Sequence, residues 1–67
     1  MNRIKEFRVA RKLSQAELAR RSGMARPNLS NIETGKATPS VSSARRIAEA
    51  LGTTLDDIFP IEKGEGA

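Results

Sequence analysis

The 67-residue chain contains no cysteine and no histidine. No disulfide can staple it and no thiolate can hold a metal. A Cys–His pair, a Ser–His–Asp triad and an ordinary zinc site are all excluded with them. Tryptophan and tyrosine are missing too, and Phe7 and Phe59 are the only aromatics. There is no long apolar run, so neither a signal peptide nor a membrane span is expected. A soluble, cytoplasmic protein is the corresponding expectation. The carboxylates are scattered and none forms a paired acid/base set. They read as solvated groups and helix caps, so no enzyme is expected, and no catalytic, metal-binding or cofactor-binding residue.

What is present is charge and helical periodicity. Twelve Lys and Arg stand against eight Asp and Glu, a net +4. The distribution is uneven: residues 1–52 hold eleven basic residues and four Glu. From Thr53 onward come Asp56, Asp57, Glu62 and Glu65 against Lys63 alone. A basic body with an acidic end suits a polyanionic partner on one side. The length allows one small domain, over residues 1–60, with a polar, flexible tail at 61–67. The Gly-rich end of that tail also reads as a linker, as in the N-terminal part of a longer chain. So small a core is marginal alone, and domains of this size gain stability by dimerising.

No segment alternates with period two, whereas apolar residues recur at three- and four-residue spacing throughout. An all-α fold of five helices follows. The first spans about Arg3 to Lys12 with Asn2 as its cap. The second opens on Ser14-Gln15-Ala16-Glu17, a capping box in which Ser14 accepts from the Glu17 amide and Glu17 reaches back. Gly23 ends it, and Met24 is expected to drop into the core. The third runs from about Arg26 to Thr34, with Leu29 and Ile32 on its buried stripe, Pro27 in its first turn and Gly35 after it. Ser40 caps the fourth, whose buried face is Val41, Ala44, Ile47, Ala48 and Leu51. Thr54 and Asp57 box the start of a short fifth helix carrying Leu55, Ile58 and Phe59, and Pro60 ends it.

Residues Gln15 to Glu33 thus form two short amphipathic helices joined by a tight turn at Gly23. That is the layout of a helix-turn-helix, whose second helix enters the DNA major groove. The resemblance extends further. Leu13-Ser14-Gln15-x-x-Leu18-Ala19, Gly23-Met24-x-Arg26, Leu29-Ser30-x-Ile32-Glu33-x-Gly35-Lys36, Pro39-Ser40, Ile47-Ala48-x-Ala50-Leu51-Gly52 and Leu55-Asp56-Asp57-Ile58-Phe59 follow in order. The chain resembles the Cro/C1-type (XRE) helix-turn-helix family of phage and bacterial regulators over about residues 2–59. The resemblance implies a five-helix, lambda-repressor-like DNA-binding domain with the helix-turn-helix in helices 2 and 3. One departure is Ala25, where the family commonly has a Ser or Thr cap; the loss should cost roughly 1 kcal/mol locally.

A recognition helix presents its first turn and one outward stripe to base edges, which selects Arg26, Pro27, Ser30 and Asn31. Arg26 can bind guanine O6 and N7, and Asn31 can pair with adenine. Pro27 suits a thymine methyl, and Ser30 does not discriminate. A bland reading makes Arg26 a solvated charge or phosphate clamp. Phosphate contacts are expected from Gln15, at a helix start where N–H groups favour an anion, and from Asn28, Thr34 and Lys36. Family likeness implies a structural ion pair between Arg8 and Glu33. Leu55, Ile58, Phe59 and Ile61 exceed what the last helix needs for its own packing, and are expected in a symmetric dimer interface with help from the fourth helix.

The implied function is a sequence-specific transcriptional regulator, a repressor, that binds a pseudo-palindromic operator in double-stranded DNA as a homodimer. Two alternatives share the fold: an antitoxin-type module that neutralises a protein partner, and a restriction–modification controller protein.

Overall fold

The computed structural model describes residues 2–60, and five helices follow one another along them: α1 (Ile4–Ala10), α2 (Gln15–Ser22), α3 (Arg26–Glu33), α4 (Val41–Leu51) and α5 (Leu55–Ile58). No strand occurs among the described residues. The expected Ile61 contact and the tail lie outside them.

Three helix starts are capped as the hydroxyl side chains dictate. Ser14 accepts from the Glu17 N–H at 3.0 Å and Ser40 from the Ser43 N–H at 3.0 Å. Thr54 and Asp57 make the full reciprocal box. At α2 the box is only half formed. The Glu17 carboxylate turns instead to Arg20 and Arg21, one turn further along the same helix. The cations beside it hold the Glu17 carboxyl below its usual range, Arg21 first and Arg20 next.

The ends of α1 to α4 share one device. After α2, the Met24 N–H reaches back to the Ala19 carbonyl (3.0 Å) and the Gly23 N–H to Arg20 (3.2 Å), with Gly23 at φ 72°. This is the Schellman arrangement, which closes orphan carbonyls by one left-handed residue. The same bonds close α1, from Leu13 to Arg8 (3.0 Å) and from Lys12 to Val9 (2.9 Å). There the left-handed residue is Lys12, at φ 59°. α1 therefore stops at Ala10, short of the expected Lys12. It starts at Ile4 with Arg3 in the cap position, and Asn2 serves from one residue further out: its Oδ1 accepts the Ile4 N–H at 3.1 Å.

Ile4, Leu18, Leu29, Ile32, Ile47, Leu51 and Ile58 are the large side chains of the core, all effectively out of contact with water. Each contributes about 1.5–3 kcal/mol by burial. α2 lies at the centre, packed on α3 and α4, and α5 closes α4. Met24 is half-buried against this cluster.

Two expectations are corrected here. Val41, placed by periodicity on the buried face of α4, is 69% exposed. It sits in the first turn, beyond the edge of the core, on an apolar groove of about 460 Å³ lined also by Ala37, Pro39, Leu55 and Phe59. Ile58, expected in a dimer contact, is 0% exposed and belongs to the chain's own core. Its backbone is engaged as well, accepting the Arg3 N–H at 2.8 Å. Leu55 and Phe59 remain half-buried and border the groove.

Candidate nucleic-acid interface

The left-handed turn at Gly23 and the extended backbone of Ala25 (φ −71°, ψ 142°) swing the chain from α2 into α3. Leu29 and Ile32 fix which face of α3 is inward. Residues three and four apart share a helix face, so Pro27, Asn31 and Thr34 form the opposite stripe, flanked by Arg26 and Ser30. Arg26, Pro27, Asn28, Asn31, Thr34 and Lys36 are exposed and Ser30 is half-buried. The side chains of Arg26, Asn28, Ser30, Asn31 and Lys36 make no hydrogen bond within the described residues. The outward face of α3 therefore carries several free donors and one fixed positive charge. Its sole acid, Glu33, is turned inward.

Glu33 is where the helix is held. Its Oε2 accepts from Arg8 Nε at 2.8 Å and its Oε1 from Arg8 Nη2 at 3.3 Å. Arg8 Nη1 also donates to the Leu13 carbonyl at 2.9 Å. The two side chains are only 12% and 3% exposed. A bidentate guanidinium–carboxylate pair of this kind fixes orientation as well as distance. Because it joins α1 to the last residue of α3, that helix cannot rotate without breaking it.

Gln15 joins the same carboxylate, with Nε2 donating to Glu33 Oε1 at 3.2 Å. One amide hydrogen is left over for an outside acceptor. Thr34 differs from expectation: its hydroxyl donates back to the Ser30 and Asn31 carbonyls, at 3.0 and 3.3 Å. In this arrangement its proton is directed to the helix's own carbonyls. Lys36 is placed by its backbone, since its N–H and that of Ala37 both donate to the Asn31 carbonyl, at 2.8 and 3.1 Å. Asn31 and Lys36 are thereby tied to the same point of the helix.

One residue that patterning gave a smaller job is Asn2. Its Nδ2 donates to the Ile32 carbonyl at 2.7 Å, across thirty positions of sequence. No local signal marks so distant a contact. At the other end α3 is bare: Ala25 makes no side-chain cap, Pro27 occupies the first turn and no acid is near. The N–H groups there face outward with the positive end of the helix dipole.

No helix among the described residues is long and apolar enough to cross a membrane.

Comparison with known proteins gives this geometry a family. The helix-turn-helix family model matches residues 4–58. An uncharacterized HTH-type transcriptional regulator of Archaeoglobus fulgidus is 40% identical over 63 residues, covering 94% of this chain and 89% of that protein. The immunity repressor protein of Bacillus phage phi105 is 39% identical over 56 residues, 84% of this chain and 39% of the repressor. The crystal structure of the restriction-modification controller protein C.AhdI from Aeromonas hydrophila superposes with a TM-score of 0.80 at 33% identity, over 82% of this chain and 83% of that one. Sequence, relatives and fold agree that this chain belongs to the Cro/C1-type helix-turn-helix family of DNA-binding transcriptional regulators.

Proposed function

We propose that the protein is a cytoplasmic transcriptional repressor that binds a pseudo-palindromic operator as a homodimer, one α3 in each of two successive major grooves. The observation that carries this reading is the contrast on α3 between a buried, clamped face and an outward face of free polar side chains. Arg26 and Asn31 read bases with two-point hydrogen bonds, Pro27 meets a thymine methyl, and Ser30 adds an undiscriminating contact. Gln15, Asn28 and Lys36 hold phosphates, positioning the domain without reading sequence. Thr34 joins them only as an acceptor through water, given its internal bonds.

One α3 covers a few base pairs, and two spaced about 34 Å apart cover a full site. The apolar groove supports the pairing surface: Val41, Leu55 and Phe59 lie along it and α4 contributes its first turn. A two-fold contact there buries the exposed Val41. Repression needs no more than occupancy of a promoter, and the phi105 relative carries the repressor name. The likeness to C.AhdI supports a second reading, a controller of restriction–modification genes, which uses the same interface.

Selection of bound sequences from random duplexes at near-physiological salt tests the proposal. A two-fold motif with half-sites about one turn apart is expected. Recovery of no preferred sequence refutes it. Retention of the groove as a bare apolar surface in the DNA-bound dimer would move the reading toward a module that binds another protein.

A further inference from the structure

We infer that Asn2 is a positioning residue for DNA reading, one that seats the far end of α3 against α1. The inference rests on the DNA-reading role proposed above. The side chain does two things at once: Oδ1 accepts the Ile4 N–H at 3.1 Å and Nδ2 donates to the Ile32 carbonyl at 2.7 Å. The first bond closes the start of α1. The second grips the Ile32 carbonyl at the end of α3, which also accepts the Gly35 N–H at 3.2 Å, so the Asn2 amide adds a tie from outside the helix to one made by the turn that follows it. The next residue continues the strap, with the Arg3 N–H donating to the Ile58 carbonyl of α5 at 2.8 Å.

Ile32 is the neighbour of Asn31, whose carbonyl holds the Lys36 and Ala37 amides. The Asn2 amide therefore fixes the segment that carries one proposed base reader and one proposed phosphate contact. The Arg8–Glu33 pair anchors the same end from within α1. Two anchors set the tilt of the helix, where one would leave a pivot. Capping α1 needs only an oxygen, which Asp or Ser supplies equally well. Asn supplies the acceptor for Ile4 and the donor for Ile32 on two separate atoms, whereas ionised Asp supplies acceptors only.

That chemistry gives the test. Asn2→Ala removes both bonds, whereas Asn2→Asp keeps the acceptor at Ile4 and loses the donor. Each full-length variant is titrated with the selected duplex and with a random duplex, well below its melting temperature. Asn2→Ala is expected to lower both the melting temperature and the ratio of selected to random affinity. Asn2→Asp is expected to recover much of the melting temperature, while the ratio stays about tenfold down, the size of one weakened base contact. A wild-type ratio in Asn2→Asp overturns the inference and leaves Asn2 a helix cap. Should Asn2→Asp fail to fold, Asn2→Ser is read the same way, because its single hydroxyl can accept from Ile4 but ends about one bond short of where Nδ2 meets the Ile32 carbonyl. Absence of any preference in the unaltered protein would instead refute the DNA-reading proposal itself.

Discussion

The two ends of α3 are built on opposite principles. Its C-terminal end is held three ways: by the Arg8–Glu33 pair, by the Asn2 amide on the Ile32 carbonyl, and by the Lys36 and Ala37 amides on the Asn31 carbonyl. Its N-terminal end has no side-chain cap, no acid in the first turn and an exposed arginine. Amides satisfied within the protein cannot be offered to a ligand, so under the proposed DNA-binding role the N-terminal turn of α3 has backbone donors to offer, whereas the held end offers side chains such as Asn31 and Lys36. The backbone of α3 is fixed at one end and open at the other, while the side chains proposed to meet DNA stand along its outward face at both.

The sharpest way to break that comparison is at the held end. Arg8→Ala strips the guanidinium from Glu33, whose side chain is 3% exposed in the intact protein, and leaves Gln15 as its remaining side-chain partner. Removing one partner of a buried pair costs about 3–5 kcal/mol. A domain of this size holds on the order of 5 kcal/mol in total. The variant should therefore be largely unfolded at 37 °C, and thermal denaturation followed by circular dichroism should show it. An unchanged melting temperature would mean that the clamp does not hold the helix.

Changes at the reading face should do the reverse, altering binding while leaving stability alone. Asn31 is exposed and its side chain makes no bond within the described residues. Asn31→Ala should weaken the preferred duplex by about 1–3 kcal/mol and relax preference at one base position. Lys36→Ala should instead weaken all duplexes alike and reduce the salt slope by about one. Equal losses on every sequence in both variants would erase the distinction between reading and positioning. A shifted melting temperature in Asn31→Ala would erase the distinction between the clamped inward side of α3 and its free outward side chains.

The free end can also be closed deliberately. Ala25 has the extended backbone of a cap residue but no side-chain acceptor. Ala25→Ser should stabilise the protein by about 1 kcal/mol, which for so small a domain is about 4–8 °C in melting temperature. If the open donors of this turn serve DNA, the same substitution should leave binding flat or weaken it despite the added stability. A gain in both would show that the missing cap has no functional side.

Much of this was legible in the sequence, and the exceptions have physical reasons. Helix existence followed from three–four spacing, and Ser14, Ser40 and Thr54 marked their starts because hydroxyls satisfy orphan amides. Gly23 and Gly35 marked ends because glycine is the residue that most easily turns left-handed. The end of α1 was missed because Lys12 takes that conformation with no glycine to announce it. Val41 was misplaced because periodicity gives a face but not how far the core extends along it. Ile58 was misread because an apolar residue near the chain end looks the same whether it serves this core or a partner's. The outward stripe of α3 was legible once its inward residues were. The bonds of Asn2 to Ile32 and of Gln15 to Glu33 were not, since each joins segments that only the folded chain brings together.

The smallest effect concerns two carboxylates that lie outside α3 altogether. Asp57 is held below the usual carboxylate range by hydrogen bonds, first from the Thr53 hydroxyl and then from Thr54. Glu17 is held down by Arg21 and Arg20. A group whose folded pKa is depressed favours the folded state at pH above its unfolded value, about 4. That contribution is lost as the pH falls through the folded pKa. The melting temperature should thus be flat near neutrality and fall on the acid side of about pH 4. Both groups are open to solvent, so salt should shrink the fall. Asp57→Asn cannot titrate, and its acid limb should be shallower than that of the unaltered protein. Near-neutral pH should show the opposite order, with Asp57→Asn melting slightly lower because an amide closes the α5 box less well than a carboxylate. An identical acid limb in both proteins would mean that the start of α5 frays before the rest unfolds. The cap would then be a local feature, and global stability would rest on the core and the clamp at Glu33.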